Sequence, residues 1–287
     1  MSVLIGMSAL LLLVINMIFW CTLLLLVGII RFLIPIKFWR QITTKITIFI
    51  GECCIYFNNS WINILHRPNW KVEGLEFVDR ENWFLATSNH QSWADIFLLQ
   101  YITNRKIPLL RFFMKDVLKW IPIVWIVGWS MNMPFLKRYS EETLRKYPEL
   151  KGKDISTMKT SFEKLSVCPG TVFSFAEGTR FSEQKQKNQR PTFDKLLKPK
   201  AGGIAITIAT MPYIKNLVDF TISYKSKSRS FWDFLCGRMS EASIRVEIIE
   251  IPKEFFEKDY SHNEKYRESL KNWLYSLWKK KEQFLKD

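Results

Sequence analysis

Residues 83–99 read WFLATSNHQSWADIFLL, which is a short apolar run, a polar turn and a second apolar run. The first run is short and contains aromatic side chains, so it predicts a strand from Trp83 to Thr87. Asp95 suits the first turn of a helix, because the helix dipole stabilises a carboxylate there. The segment therefore predicts a strand, a turn and a helix in succession.

Four further short runs of β-branched and aromatic residues also predict strands. They are Ile107–Phe113, Thr171–Phe175, Leu217–Tyr224 and Ser243–Ile249. Helical stretches separate these runs, and this alternation favours an α/β fold with a mixed sheet flanked by helices. The polar segment 183–190, EQKQKNQR, has no periodicity and predicts a mobile surface loop.

The N-terminus predicts a transmembrane helix. Residues 1–30 carry no charged side chain and are long enough to cross a hydrocarbon core of about 30 Å. A signal peptide is the alternative, but the apolar run is too long and ends at Arg31 without a small-residue cleavage pattern. Lys37, Arg40 and Lys45 also follow the span, so the positive-inside rule places the remaining chain in the cytoplasm. The membrane is then the bacterial inner membrane, or the endoplasmic reticulum of a eukaryote.

Two other apolar segments predict membrane contact. Residues 41–65 are interrupted by Lys45, Glu52, Asn58 and Asn59, so they predict an interfacial helix, with a second span as the alternative. Residues 120–136 are uncharged but contain two prolines, which favours a buried or membrane-dipping segment.

The C-terminal segment has apolar residues at helical spacing. They are Tyr266, Leu270, Trp273, Leu274, Leu277 and Trp278. This amphipathic helix either lies on anionic lipid or packs on the domain. The predicted divisions are a transmembrane anchor (1–34), an interfacial helical segment (35–68), an α/β domain (69–252) and a C-terminal amphipathic helical segment (253–287).

Composition narrows the class of partner. The formal net charge of +15 predicts an anionic partner, and 12 Trp and 22 Phe favour a membrane over a nucleic acid. The five cysteines contain no CxxC pair, which argues against a disulfide framework or a zinc site. The histidines at positions 66, 90 and 262 have no ligand-like spacing, which disfavours a metal-dependent hydrolase.

His90 and Asp95 are the candidate catalytic pair. Asp95 lies five positions after His90, which in an ideal helix leaves their side chains about 140° apart. They therefore meet only if His90 lies in the turn and Asp95 near the start of the next helix. An imidazole accepts a proton near neutrality, and an adjacent carboxylate orients it and stabilises the imidazolium. The alternative is a capping Asp beside a structural His, and the HxxxxD pattern alone is weak.

A second polar turn follows the predicted strand in TVFSFAEGTRFS, residues 171–182. Gly178 lets the backbone bend there, and the guanidinium of Arg180 matches a phosphate. Arg138 in PFLKR and Lys200 in KPKAGG are further basic positions for an anion site. Each of these charges alone would usually be a solvated surface residue.

Together these segments resemble the glycerolipid acyltransferase family that includes 1-acylglycerol-3-phosphate acyltransferases. NHQSWAD is similar to the family's first block, NHxxxxD, which implies that His90 is the general base and Asp95 its partner. PFLKR is similar to the second block, which implies that Arg138 contacts the substrate phosphate. The resemblance extends from about Trp70 to Tyr224.

FAEGTR resembles the third block, usually FPEGTR. It implies substrate-binding roles at the acceptor's glycerol and phosphate for Glu177, Gly178, Thr179 and Arg180. The segment around Met211 and Pro212 resembles a degenerate fourth block near the acyl donor. The chain departs from the family at Ala176, which replaces Pro, at Asn132, which replaces Gly, and in the fourth block, which lacks its second Pro.

The resemblance implies direct transfer of a fatty acyl group to the hydroxyl of a lysophosphatidic acid-like acceptor. The donor would be the thioester of acyl-CoA or acyl carrier protein, with no cofactor, no metal and no nucleic-acid partner. The absence of a GxSxG elbow agrees with a reaction that forms no acyl-enzyme. The alternatives are reacylation of lysophosphatidylglycerol or lysocardiolipin and, outside enzymes, a noncatalytic membrane protein that binds anionic lipid.

Overall fold

The computed structural model of the protein describes residues 1–34, 36–75, 78–133, 135–136, 146–147, 168–189, 192–256 and 263–286. The strands are β1 (Asn69–Glu73), β2 (Phe84–Ser88), β3 (Leu110–Phe112), β4 (Met114–Lys115), β5 (Phe135–Leu136), β6 (Thr171–Phe175), β7 (Asn216–Tyr224) and β8 (Glu241–Glu250). Six of them form a mixed sheet in the order β1-β8-β7-β2-β6-β3, and β4 pairs with β5 in a separate small sheet.

Helices surround the main sheet. They are α1 (Ser2–Leu33), α2 (Lys37–His66), α3 (Ala94–Thr103), α4 (Pro122–Ser130), α5 (Glu183–Asn188), α6 (Gly202–Thr210), α7 (Phe231–Leu235) and α8 (Glu264–Lys286). Two short 3-10 helices cover Asp116–Trp120 and Lys253–Phe255. The fold is therefore α/β, with a mixed sheet flanked by helices and a long N-terminal helix.

The central strand β2 sets the edge where the predicted site residues emerge. It runs parallel to β6 and β7, and Ser88 pairs with Phe175 on one side and Phe220 on the other. The carboxyl ends of β2 and β6 consequently lie side by side. β7 continues four residues further, to Tyr224, and so extends beside the turn that follows β2.

Each face of the sheet has its own hydrophobic core. Side chains from α2, α3 and α7, including Ile62, Leu98 and Phe234, pack on one face. Side chains from α6 and α8 pack on the other, where Leu270 and Trp278 are fully buried. Of the two alternatives for the C-terminal helix, the structure therefore shows packing on the domain.

The N-terminal helix α1 is held against the domain near both ends. A Cβ atom at Gly6 would lie 2.7 Å from Cys236 Sγ, and one at Gly28 would lie 2.4 Å from the Trp129 ring, so only glycine permits these contacts. In between, Asn16 Nδ2 donates to the Cys54 carbonyl of α2 at 3.0 Å. The two glycines are about 33 Å apart along the helix axis.

The opposite side of α1 is apolar and exposed. Among the described residues, α1 is the one helix long and apolar enough to cross a membrane by length and composition. Further exposed apolar side chains come from the segment 117–125, where Trp120 is 78% exposed and Ile121 and Trp125 are also exposed. In α2, by contrast, Glu52 is buried and pairs with Arg80.

The structure confirms the five predicted strands, with small changes at their ends, except that the strand predicted over 107–113 is reduced to β3 (Leu110–Phe112). The prediction of a loop over 183–190 is wrong, because 183–188 form α5. Ser182 Oγ caps this helix by accepting from the Lys185 N–H, and the Gln186 amide donates to the carbonyls of Phe193 and Asp194. Strand β1 was not predicted, because it is a half-exposed edge strand that pairs only with the distant β8.

Candidate active site

His90 and Asp95 meet in the turn between β2 and α3. The distance from His90 Nδ1 to Asp95 Oδ2 is 2.8 Å, with 12% of the His90 side chain exposed and none of the Asp95 side chain. A carboxylate only accepts hydrogen bonds, so Nδ1 carries the proton and Nε2 of the neutral ring keeps a lone pair. The ring stacks on Phe175, with centroids 3.9 Å apart. The geometry suits an oriented base.

The Asp95 carboxylate is held by four donors. Besides His90, Oδ2 accepts from the backbone N–H groups of Gln91 at 2.6 Å and Ser92 at 3.0 Å. The other oxygen, Oδ1, accepts from the Tyr224 hydroxyl at 2.9 Å. Such charge-assisted bonds fix a carboxylate in one orientation.

The overhanging end of β7 holds the turn that carries His90. The Asn89 amide donates to the Ile222 carbonyl at 2.9 Å and accepts from the Ile222 N–H at 2.8 Å. This side chain thus continues the strand pairing for one more residue after β2 ends. The Gln91 amide donates to the same carbonyl at 3.1 Å. His90 is therefore clamped between two residues that are bound to β7.

The FAEGTR turn lies beside this one. Gly178 has a φ of +72°, which a residue with a side chain rarely adopts. The Phe181 N–H donates to the His90 carbonyl at 2.7 Å, which joins the two turns directly. Thr179 Oγ1 accepts from Lys185 Nζ of α5 at 2.9 Å. The predicted base and the predicted phosphate-binding turn thus lie at the same edge of the sheet.

Arg180 extends over an exposed aromatic ring. Its guanidinium carbon lies 5.1 Å from the centroid of the Trp93 ring, a cation–π contact that leaves the edge of the guanidinium fork available. Both side chains are exposed. Trp93 immediately precedes α3. The Arg180 guanidinium therefore lies against the segment that carries His90 and Asp95.

Glu177 is placed differently from its neighbours, because it is fully buried. Burial, followed by the negative charge of Asp95, raises the pKa of Glu177 well above its usual range. The His90 and Leu197 N–H groups lie close enough to favour its charged form, but its oxygens complete no hydrogen bond among the described residues. The carboxyl therefore faces the protein interior behind His90.

The remaining predicted positions are less connected to the turn. The Lys200 N–H donates to the Ala176 carbonyl at 2.8 Å, while its side chain is exposed. Arg138 and His262 lie outside the described residues. Within the described part of the chain, no group of three or more His, Cys, Asp or Glu side chains is arranged to hold a metal ion.

Three site residues were missed by the sequence analysis. Asn89 carries a signal, because it is the first residue of the NHxxxxD block. Tyr224 and Lys281 carry none, because Tyr224 bonds to Asp95 from the end of β7, and Lys281 of α8 lies near enough for its charge to oppose the rise in the pKa of Glu177.

Comparison with known proteins gives the family. The acyltransferase family matches residues 69–225, more than half of the chain. The chain belongs to the acyltransferase family. It is accordingly an enzyme of the acyltransferase type, and the matched region contains both turns described above.

Several solved structures are similar to this chain, and one of them is a protein of known activity. It is the 1-acyl-sn-glycerophosphate (LPA) acyltransferase PlsC from Thermotoga maritima, with 18% sequence identity, a TM-score of 0.46 and coverage of 95% of this chain and 98% of that chain. No curated protein matches the sequence.

Proposed function

We propose that this acyltransferase moves a fatty acyl group from a thioester to the free hydroxyl of a lysophosphatidic acid-like acceptor. The observation that carries the proposal is the 2.7 Å hydrogen bond between the Phe181 N–H and the His90 carbonyl. It joins the oriented imidazole to the turn that bears Arg180. One acceptor can then present its hydroxyl to His90 and its phosphate to Arg180.

The proton moves through His90 Nε2. This nitrogen takes the proton of the acceptor hydroxyl while the hydroxyl oxygen bonds to the thioester carbonyl carbon. The C–S bond then breaks, and the leaving thiolate of coenzyme A or acyl carrier protein takes the proton from the imidazolium. Asp95 stabilises the imidazolium between the two steps. These steps account for every bond and proton without a metal, a cofactor or an acyl-enzyme.

The acceptor phosphate is assigned to the exposed part of the FAEGTR turn. Arg180 supplies the charge, Gly178 lets the backbone approach, and Thr179 and the side chain of Lys200 are further donors. Arg138 stays a prediction from the sequence. The burial of Glu177 favours a supporting role beneath His90 over direct contact with the acceptor.

We place the enzyme at a membrane through the exposed apolar sides of α1 and of the segment 117–125. The contacts of Gly6 and Gly28 with the domain favour embedding of this surface from one side. The single-pass crossing that the sequence predicts stays the alternative, and it would draw the domain packed near both ends of α1 towards the hydrocarbon. The cytoplasmic location stays a prediction, and the positive net charge suits anionic lipid.

An acceptor panel tests the function. Purified protein is incubated with acyl-CoA or acyl carrier protein thioesters and with lysophosphatidic acid, lysophosphatidylglycerol, lysocardiolipin or monoacylglycerol, and products are identified by mass spectrometry. We expect phosphatidic acid to dominate and monoacylglycerol, which lacks a phosphate, to remain unchanged. If only lysophosphatidylglycerol or lysocardiolipin gives a product, that lysolipid replaces lysophosphatidic acid as the assigned acceptor. If no acceptor gives a product, the proposed function is refuted.

Arg180→Ala should selectively weaken the binding of the phosphorylated acceptor. Loss of a charge-assisted hydrogen bond at an exposed site predicts a KM for lysophosphatidic acid that is about 5- to 30-fold higher, with the donor KM unchanged. Lys187→Ala removes an exposed cation of α5 and serves as the control. An acceptor KM that is the same in both variants would exclude the phosphate role of Arg180.

A further inference from the structure

The hydroxyl of Tyr224 contacts the partner of the proposed base. It donates to Asp95 Oδ1 at 2.9 Å from the end of β7, and both residues are buried. Oδ2 takes the His90 contact and both backbone bonds, so Tyr224 is the donor to Oδ1 within the described residues. This hydrogen bond therefore fixes the position of Oδ1.

The direction of the bond determines its effect on His90. A donor to Oδ1 stabilises the carboxylate charge and draws it away from Oδ2, which faces the imidazole. The imidazolium is then held less strongly than it would be by the same carboxylate without this donor. Burial and the negative charge of Asp95 raise the pKa of Tyr224 well above its usual range, so the hydroxyl keeps its proton throughout the working pH range.

We propose that Tyr224 is a positioning residue for acyl transfer, which orients Asp95 and limits how strongly Asp95 holds the proton on His90. The inference rests on the proposed role of His90 as general base. The four residues by which β7 extends past the end of β2 would then have a function, because they place the Tyr224 hydroxyl beside the turn.

In the described part of the chain, three other titratable or charged groups face Asp95. They are His90 on the same turn, Glu177 after β6 and the Arg229 guanidinium in the loop after β7. Arg229 is tied to the turn, since it donates to Gln91 Oε1 and its carbonyl accepts from Ser92 Oγ at 2.7 Å. Tyr224→Phe leaves these three side chains in place, so a shift of the pH profile reports the loss of the hydroxyl.

Tyr224→Phe is the first test. Without the hydroxyl, Asp95 holds the imidazolium more strongly, so the neutral base forms only at higher pH. The acid limb of the kcat/KM profile should move up by about 0.5 to 1 pH unit. The plateau kcat should fall roughly 3- to 10-fold because Asp95 is less firmly oriented, while both KM values stay within about twofold.

Tyr266→Phe is the matched control. It removes an equally buried hydroxyl, which donates to the Phe255 carbonyl at 2.9 Å on the other face of the sheet. Its profile should coincide with that of the wild type. An unshifted acid limb in folded Tyr224→Phe would overturn the inference.

A second variant keeps the test decisive if Tyr224→Phe does not fold. Fluorotyrosine at position 224 preserves the shape and makes the hydroxyl a stronger donor, so the acid limb should move to lower pH. No movement in that direction would also overturn the inference. A wild-type enzyme inactive on every acceptor, or a fully active His90→Ala, would instead refute the proposed function itself.

Discussion

His90→Ala should lower kcat for acyl transfer by a factor of about a hundred to ten thousand, the range that general bases typically contribute. The remaining rate would come from positioning of the two substrates. Single-turnover assays with lysophosphatidic acid and a labelled thioester measure the chemical step directly. The KM values should change little, because the imidazole acts on the hydroxyl only as the new bond forms.

The fold and membrane association should survive this substitution. Asp95 keeps three of its four donors, from Gln91, Ser92 and Tyr224, so no buried charge is left unpaired. His66→Gln is the matched control, since His66 is buried between Trp61 and Phe234 and bonds to the Leu235 carbonyl at 3.0 Å. This variant should lose stability but retain kcat. A His90→Ala enzyme with more than a tenth of the wild-type kcat would rule out the general base.

Lys281→Met should destabilise the protein by about 3–5 kcal/mol. Lys281 is 1% exposed, and its Nζ lies 2.6 Å from Asp219 Oδ1 and donates to the Phe220 carbonyl at 2.7 Å. Burial raises the pKa of Asp219, and the positive charge of Lys281 offsets part of this effect. Without Lys281, the described residues leave the carboxylate of Asp219 no buried counter-charge. Denaturant unfolding in detergent measures the loss.

A double variant separates charge from packing in this result. Lys281→Met combined with Asp219→Asn removes both charges and should recover most of the lost stability. Lys279→Met alters an exposed residue of the same helix and should change stability by less than about 0.5 kcal/mol. Equal stability of Lys281→Met and Lys279→Met would show that the buried pair contributes nothing.

The sequence predicts those parts of the site that depend on local patterns. The strands β2 and β6 are short apolar runs, and each ends in a polar turn. Parallel strands end at a common edge of a sheet, so the residues that follow them can converge. The structure brings His90 and Arg180 together in this way.

The other parts depend on contacts between distant segments. Lys281 follows two exposed lysines and gives no sign in the sequence that it is buried against β7. The helix α5 lacks an apolar stripe and is held by polar contacts of Ser182 and Gln186. The burial of Glu177 depends on packing around the third block, which a motif does not describe.

The two faces of β7 restrict how this strand can change in length. Asp219 points to α8 and Tyr224 to Asp95, and successive residues of a strand point to opposite sides. Deleting one residue between them would turn one of these side chains to the wrong face. The separation of five positions is therefore fixed in parity as well as in distance. Single-residue insertions between Asp219 and Tyr224 should therefore not be tolerated, whereas insertions after Tyr224, in the loop that leads to α7, leave this spacing intact.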